Sequence, residues 1–246
     1  MISKQTAKFL KSLQIKKFRK EHGCFIVEGE KSVNELLGSP WVVREIYATT
    51  QFIEKHVEKW SKSNLIEVTE KELTAVSSFK SNNSALAVVE ILEHSFYMPP
   101  VNKISIALES VNDPGNLGTI VRIADWYGIE QIYCSSDTVD MFSPKVISST
   151  KGSFTRVKVF YTNLEEIIKG SDIPVIGAFL NGESIHQYKY DGEGVVLLMG
   201  SESQGISHQL EKLVKTKVTI PAYGVAESLN VSIATAILCD NLKRGC

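Results

Sequence analysis

The most informative segment of the chain lies near its C-terminus and reads Ile220-Pro221-Ala222-Tyr223-Gly224-Val225-Ala226-Glu227-Ser228-Leu229-Asn230-Val231-Ser232-Ile233-Ala234. It predicts a turn-rich loop that leads Ser228 and Asn230 into an otherwise apolar helix from Val231 to Leu242. The first turn of a helix leaves backbone N–H groups without partners, so it can hold a polar ligand. Buried Ser and Asn side chains cost free energy unless each has a partner. The simpler alternative is that Ser228 caps an ordinary core helix.

Length and composition are those of one large domain or two small ones. The 246 residues are 43% hydrophobic and 22% charged, which is ordinary for a globular chain. No apolar run reaches the roughly 18 residues of a membrane-spanning helix, and the N-terminus lacks the apolar core of a signal peptide. The cysteines form no CxxC pair; they are Cys24, Cys134, Cys239 and Cys246. We therefore expect a cytoplasmic protein with no metal site and no membrane partner.

The first twenty residues carry many basic side chains and no Asp or Glu. Such a run can bind phosphates through counterion release. The alternative is the solvated face of a basic helix, predicted from Leu10 to Phe18, with Phe9, Leu10 and Leu13 turned inward. The basic residues are Lys4, Lys8, Lys11, Lys16, Lys17, Arg19 and Lys20.

Two adjacent prolines, Pro99 and Pro100, interrupt the chain. We predict a first domain over residues 1–97, a linker over 98–102 and a second domain over 103–246. Short strands alternate with helices in the first part, which predicts a small α/β domain. In the second part, nearly all-apolar runs predict a mostly parallel sheet with helices on both faces.

The first unusual loop follows the predicted strand Ile104 to Leu108 and reads Glu109-Ser110-Val111-Asn112-Asp113-Pro114-Gly115-Asn116-Leu117-Gly118-Thr119-Ile120-Val121-Arg122. Its glycines permit close backbone approach, and Asn116 is placed to cap the following helix or to contact a ligand. Arg122 follows six residues later, and we expect it to share roughly one face with Asn116. A phosphate suits its guanidinium, whereas a surface pair with Asp125 or Glu130 is the alternative.

A second unusual loop, Gly200-Ser201-Glu202-Ser203-Gln204-Gly205, follows the predicted strand Val195 to Met199. The carboxyl ends of parallel strands meet at one edge of a sheet, where ligands bind. We therefore expect five polar side chains from the three loops to line one rim of the sheet: Asn116, Arg122, Glu202, Ser228 and Asn230. The histidines lie outside these loops and receive no role.

The tryptophans Trp41, Trp60 and Trp126 are interpreted as core residues rather than as residues that stack on nucleobases.

In these three segments the chain closely resembles the SpoU-type (TrmH-like) RNA ribose methyltransferases of the SPOUT superfamily. The matching pieces are Asp113 to Gly118 with Arg122-Ile123-Ala124, then Gly200 to Gly205, then Ile220-Pro221 with Glu227 to Val231. A further piece, Phe25-Ile26-Val27-Glu28-Gly29-Glu30-Lys31, resembles the start of the substrate-binding domain, related to ribosomal-protein folds, that often precedes the family's catalytic domain.

The resemblance implies more than the residue patterns do. It implies a deep trefoil knot in the C-terminal part of the sheet, which is rare among folds. It also implies S-adenosylmethionine as methyl donor, a homodimer formed through the C-terminal domain, and a ribose 2′-hydroxyl of rRNA or tRNA as methyl acceptor. Together these imply a cytoplasmic, SAM-dependent RNA methyltransferase.

The resemblance also implies roles for single residues. Arg122 matches the arginine credited with activating the hydroxyl, Asn116 its helper, and Glu202 the carboxylate of the second motif. Ser228 and Asn230 match the polar pair of the final motif and are expected at both the catalytic and the donor site. The backbone that would hold the adenosyl group lies around Leu198, Met199, Gly200, Ile220 and Leu229.

Three positions depart from the family pattern. Ser201 replaces an asparagine, Ala222 replaces a common methionine, and Ser148 stands where many relatives have arginine. Lys145, Lys151 or Arg156 can supply the charge that Ser148 lacks, and Lys145 and Lys151 are predicted to contact RNA.

The chemistry leaves the role of Arg122 open. The acceptor hydroxyl must lose a proton, yet arginine, with a pKa of about 12.5–13.8, is an awkward base. Arg122 either takes that proton with help from its neighbours or stays cationic and holds an RNA phosphate.

Two other functions compete with methyl transfer. One is an RNA-binding protein with a lapsed methyltransferase site, suggested by Ser148 and Ser201. The other is a dinucleotide enzyme, which the lack of a GxGxxG loop disfavours.

Overall fold

A computed structural model describes residues 1–56, 58–60, 65–92 and 95–244. The chain divides into two compact units, Met1–Glu93 with Asp140–Thr155, and His94–Val139 with Arg156–Cys246. Cys246 lies outside the described residues. No helix in the described ranges combines the length and the hydropathy needed to cross a bilayer.

The first unit contains a four-stranded mixed sheet in the order β1-β4-β2-β3. β4 runs antiparallel to β1 and β2, and β2 runs parallel to β3. Its elements are α1 (Lys4–Ser12), α2 (Lys16–His22), β1 (Cys24–Glu28), α3 (Glu30–Asn34), β2 (Val43–Ala48), α4 (Thr50–His56), β3 (Leu65–Glu67), α5 (Glu70–Val76), β4 (Ala85–Glu90), α7 (Pro144–Thr150) and a 3₁₀ turn (Ser153–Thr155).

The predicted basic helix from Leu10 to Phe18 is wrong, because two helices, α1 and α2, share this segment. Ile15 takes an extended conformation between them, with a φ of −104° and a ψ of 129°. Leu10 and Leu13 are fully buried, as their apolar character predicts. Phe9 packs against the same core and is only partly buried.

The segment Asp140–Thr155 contributes to the core of the first unit, although it follows the linker by some forty residues. Phe142 and Phe154 pack against Phe25 at ring-centroid distances of 4.8 and 6.1 Å. Both rings also contact Trp41. No pattern in the sequence predicted this, because a pairing of distant aromatic side chains leaves no local periodicity.

Glu28, at the end of β1, is a buried carboxylate that orders the loop after α5. It accepts hydrogen bonds from the Ser77 hydroxyl at 2.5 Å, from the Ser78 N–H at 3.0 Å and from the Ser78 hydroxyl. A buried carboxylate needs such partners to remain stable. Glu28, which lies in the segment Phe25 to Lys31 that resembles the family, therefore has a structural role.

The second unit is built on a six-stranded parallel sheet in the order β10-β8-β9-β5-β6-β7. Its elements are β5 (Ile104–Leu108), α6 (Pro114–Trp126), β6 (Gln131–Cys134), β7 (Lys158–Tyr161), α8 (Leu164–Gly170), β8 (Val175–Ser184), β9 (Val195–Met199), α9 (His208–Glu211), β10 (Thr216–Thr219) and α10 (Val231–Arg244).

The central strands β5 and β9 are buried at every residue, so both faces of the sheet are covered. One face packs Ala107, Val196 and Leu198 against α8 and α9. The helices α6 and α10 pack against each other, and the Tyr127 hydroxyl donates to Asp240 at 3.4 Å. The predicted α/β class with a parallel C-terminal sheet is confirmed, and β5 and β9 have the predicted bounds.

One core assignment is wrong. Trp41 and Trp60 are buried as predicted, but Trp126 is 83% exposed at the end of α6. Nine residues at 100° each place Trp126 about 180° around α6 from the buried Leu117, so the period of the helix puts it on the solvent face.

Candidate functional site

Three polar side chains from three distant loops form one hydrogen-bonded relay. Asn116, in the first turn of α6, donates its side-chain N–H to the Glu202 carboxylate. Its carbonyl oxygen accepts an N–H from the Asn230 amide at 3.0 Å. The structure thus brings Asn116, Glu202 and Asn230 together across sequence separations of 86 and 114 residues.

Local structure holds each member of the relay in place. The Asp113 carboxylate caps α6 by accepting the Asn116 N–H at 3.0 Å, and Pro114 occupies the first turn, where no N–H is required. Asn230 accepts the Ser232 N–H at 3.0 Å and the Ser232 hydroxyl at 2.6 Å, so it caps α10. The alternative in which Ser228 caps this helix is therefore wrong.

The loop after β9 is a tight turn that requires glycine. Ser201 and Gly205 exchange backbone hydrogen bonds of 3.2 and 2.9 Å, and the Ser201 hydroxyl accepts the Gln204 N–H at 3.2 Å. A Cβ atom added at Gly200 would overlap the Gly205 carbonyl and the Ile206 nitrogen. Ser201, despite its departure from the family asparagine, closes the turn with its own side chain.

The loop before α10 is open to solvent. All side chains from Ala222 to Asn230 are exposed, and within the described parts of the chain no hydrogen bond holds Ser228. Leu229 is half exposed and Ile220 is partly buried. By contrast, Leu198 and Met199 are buried, so only their backbone can reach a ligand.

Arg122 lies apart from the relay. Six residues at 100° each place it about 120° around the helix from Asn116, so the expected common face is wrong. Arg122 is exposed, and it takes part in no ion pair among the described residues. The carboxylate of Asp125 instead receives Arg156, at 2.8 to 3.1 Å, and Glu130 receives Lys103 at 2.8 Å.

The predicted RNA-binding residues separate into two kinds. Eight lysines are exposed, and all belong to the first unit: Lys4, Lys8, Lys11, Lys16, Lys17, Lys20, Lys145 and Lys151. Arg19 is 3% exposed and pairs with Asp140 at 2.6 Å. A guanidinium buried in this way cannot contact RNA, so that assignment of Arg19 is wrong. Arg156 pairs with Asp125 but is half exposed, so it stays a candidate, with Lys145 and Lys151, for the charge missing at Ser148.

Sequence reasoning missed the residues that brace the rim. The Glu109 carboxylate accepts the Ser207 N–H at 2.8 Å, which joins the loops after β5 and β9. Ser110 takes a left-handed φ of 56° and donates its hydroxyl to Asp137 at 2.5 Å. Hydrogen bonds from Ser110 and Ser135 lower the pKa of Asp137. Exposed Ser, Asp and Glu residues are too common in loops to be singled out by type alone.

No three His, Cys, Asp or Glu side chains gather as metal ligands within the described residues. The site is therefore defined by amide, carboxylate and hydroxyl groups together with backbone.

Comparison with known proteins gives matches over nearly the whole chain. The model of the SpoU rRNA Methylase family matches residues 103–240, and that of the MRM3-like substrate binding domain matches residues 4–87. The 23S rRNA (guanosine(2553)-2′-O)-methyltransferase RlmP of Bacillus subtilis strain 168 is 31% identical over 243 residues, 97% of this chain and 96% of the relative.

Two solved structures resemble the whole molecule. One is a putative RNA methyltransferase of the TrmH family from Porphyromonas gingivalis, with a TM-score of 0.88 and 34% identity over 99% of both chains. The other is an AdoMet-bound rRNA methyltransferase from Sinorhizobium meliloti, with a TM-score of 0.88 and 29% identity over 99% of this chain and 97% of that one.

The turn at Gly200 generates a prediction on stability. Gly200→Ala should lower the free energy of unfolding by about 1–3 kcal/mol, because the methyl group meets fixed backbone rather than a flexible side chain. Gly224→Ala is the matched control, since a Cβ there meets nothing within 4 Å. Urea unfolding of both variants measures the difference, and equal stabilities would contradict the close approach.

Proposed function

The chain belongs to the SpoU family of rRNA methylases, and we propose that it transfers a methyl group from S-adenosylmethionine to a ribose 2′-hydroxyl of RNA. The donor, when bound, supplies an electrophilic methyl group on a sulfonium. Both the family match and the whole-chain likeness to an AdoMet-bound rRNA methyltransferase support this assignment. Ribosomal RNA is the favoured substrate class, because the RlmP relative, which acts on 23S rRNA, aligns over nearly its full length.

The relay of Asn230, Asn116 and Glu202 is the observation that carries the proposal. Methyl transfer from a sulfonium is an in-line displacement, so positioning of the acceptor contributes much of the rate. A relay fixed by the caps of two helices provides a rigid set of donors and acceptors at one point. We assign catalytic or orienting roles to its three members, to Ser228 and to Arg122.

The residues present fit S-adenosylmethionine. The exposed loop before α10 offers the apolar surface of Leu229 for the adenosyl group, beside the hydroxyl of Ser228. We propose that the donor is held by Ser228, Asn230 and the backbone of Leu198, Met199, Gly200, Ile220 and Leu229. The resemblance further implies that this backbone forms a trefoil knot.

The first unit is proposed to bind RNA outside the active site. The eight exposed lysines assigned to RNA all belong to this unit, and the model of a substrate binding domain matches residues 4–87 of it. Lysine binds phosphates without reading sequence, so this surface supplies affinity rather than choice of nucleotide. Residues 1–97, 98–102 and 103–246 remain the proposed domain and linker bounds, with Asp140–Thr155 packed into the first unit.

A homodimer through the C-terminal domain, in the cytoplasm, completes the proposal. The packed helices α6 and α10 expose apolar side chains, with Trp126 83% and Ile233 52% accessible. Exposed large apolar side chains on a packed helix pair favour an interface.

Arg122 provides the first test of this function. Arg122→Ala should lower methyl transfer at least 100-fold, since it removes the cation proposed to act on the hydroxyl or on its phosphate. Calorimetry should show donor binding within a few-fold of the unmodified protein, and Lys189→Ala serves as an exposed control. Near-normal turnover in the Arg122 variant would refute the assignment.

The same experiment addresses the lapsed-site alternative. A protein that retains only RNA binding should bind S-adenosylmethionine weakly or not at all. Mapping of 2′-O-methylated positions in total RNA, with and without the gene, then identifies the nucleotide modified.

Arg156 is expected to prevent an ion pair between Arg122 and Asp125. Asp125 lies one turn from Arg122 on α6, and Arg156 holds its carboxylate. In Arg156→Ala the released carboxylate should pair with Arg122 and lower kcat/KM about 2-fold, the effect of about 0.4 kcal/mol. Asp125→Asn alone should be nearly neutral, and adding it to Arg156→Ala should restore activity.

Steady-state kinetics of the three variants separate the explanations. A loss in Asp125→Asn equal to that in Arg156→Ala would indicate that the pair only stabilises the fold. A double variant without recovery would indicate that Arg156 acts directly on RNA.

The dimer is tested by charge insertion. Ile233→Glu should shift sedimentation toward the monomer, because a carboxylate buried in an apolar interface lacks a partner. Ile15→Glu is the control, as Ile15 is 55% exposed but belongs to the first unit. A dimer that persists in Ile233→Glu, or a monomeric parent protein, would count against this interface.

A further inference from the structure

A polar cleft of about 480 Å³ opens in the second unit at the carboxyl ends of β5, β6 and β7. Two of its walls come from the loops that carry the relay, because Glu109 precedes Asn116 on one loop and Ser207 follows Glu202 on the other. The hydrogen bond between Glu109 and Ser207 joins these walls. The cleft therefore shares two loops with the candidate active site, and none of the residues assigned to the donor lines it.

The chemistry of the cleft disfavours a phosphate and suits a nucleobase. Its lining contains the carboxylates of Glu109 and Glu165 and the amides of Asn163 and Gln209 but no Lys or Arg, although Lys169 pairs with Glu165 from outside the lining. Carboxylates repel the anionic backbone of RNA and accept N–H groups from base edges. Its volume lies in the range of pockets that hold small ligands, which runs from about 300 to 1,000 Å³.

An aromatic ring completes the lining. Tyr161 lies at the end of β7, is 38% exposed and donates its hydroxyl to the Val139 carbonyl at 2.5 Å. This hydrogen bond fixes the ring at the cleft. Proteins that read RNA stack unpaired bases on such rings and read their edges with amide and carboxylate groups.

The wall between β5 and β6 is also held rigidly. The Ser110 N–H donates to the Ser135 hydroxyl at 2.8 Å, and Ser135 lines the cleft. A preorganised wall lowers the entropic cost of holding a ligand. The loop therefore serves as a fixed edge of the cleft.

We propose that this cleft binds one nucleobase of the RNA, at or beside the methylated nucleotide, by stacking on Tyr161 and by hydrogen bonds to Asn163 and Glu109. This inference rests on the proposed methyl transfer to RNA. It assigns the choice of nucleotide to the cleft, whereas the lysines of the first unit supply general affinity.

The test couples cleft variants to bases removed from the RNA. The probe is a short RNA around the methylated position, either intact or with a single abasic nucleotide at that position or at either neighbour. For the unmodified protein, one abasic RNA should lose about 10-fold in kcat/KM, as expected for one stacked base. Tyr161→Leu should lose a similar factor on intact RNA and nothing further on that abasic RNA, because the two changes remove one interaction.

Two further variants keep the result interpretable. Tyr161→Phe retains the ring and should keep most of the discrimination. Asn163→Asp keeps the side-chain oxygen that accepts the Glu165 N–H but removes the amide N–H donors. Its control is Asn102→Asp, which adds the same charge outside the cleft. Only Asn163→Asp should change the preference among bases at the coupled position.

If Tyr161→Leu lowers kcat/KM on each of the three abasic RNAs by the same factor as on intact RNA, no single base depends on Tyr161. That result would overturn the proposal. Unchanged donor binding in each variant, measured by calorimetry, confirms that the fold is intact. Failure of the proposed function has a different signature, since the unmodified protein would then methylate no RNA.

Discussion

One side-chain amide links the three loops on which the site depends. Asn116 presents a donor and an acceptor a little over 2 Å apart on one rigid plane, and it uses the first for Glu202 and the second for Asn230. A carboxylate or a hydroxyl at this position would not present an N–H and a carbonyl to two partners at once in this fixed geometry. The strands β5 and β9, which precede the first two loops, are neighbours in a parallel sheet, so their carboxyl ends bring the loops close enough for this contact.

Charge in the second unit is distributed so that one arginine stays available. Asp125 and Glu130, the two acidic residues closest to Arg122 in sequence on its C-terminal side, are both bound by other cations. An exposed ion pair contributes little to stability, about 0–1 kcal/mol. The main effect of the pairing of Arg156 with Asp125 is therefore to keep Asp125 from pairing with Arg122. Binding of RNA phosphate can then use a guanidinium that has no competing partner among the described residues.

The division of the chain also separates tasks. The eight lysines proposed to bind RNA belong to the first unit, whereas the relay, the Gly200 turn and the polar cleft belong to the second. Phosphate contacts give affinity that depends on salt, and base contacts give selectivity. Arg19 shows why charge alone is an incomplete guide, because its burial beside Asp140 makes it a structural residue among neighbours that face solvent.

The sequence by itself determined the α/β class, the runs of apolar residues that became β5 and β9, and the polar types present in the three loops. These follow from local rules, because burial on both faces of a strand requires consecutive apolar residues and because polar side chains at a helix start can cap its backbone N–H groups. Only the tertiary structure decided that Arg19 is buried beside Asp140, that Arg156 takes Asp125 and that Asp140–Thr155 packs into the first unit. Each of these depends on a partner that is distant along the chain, and no local pattern of residues determines such a pairing.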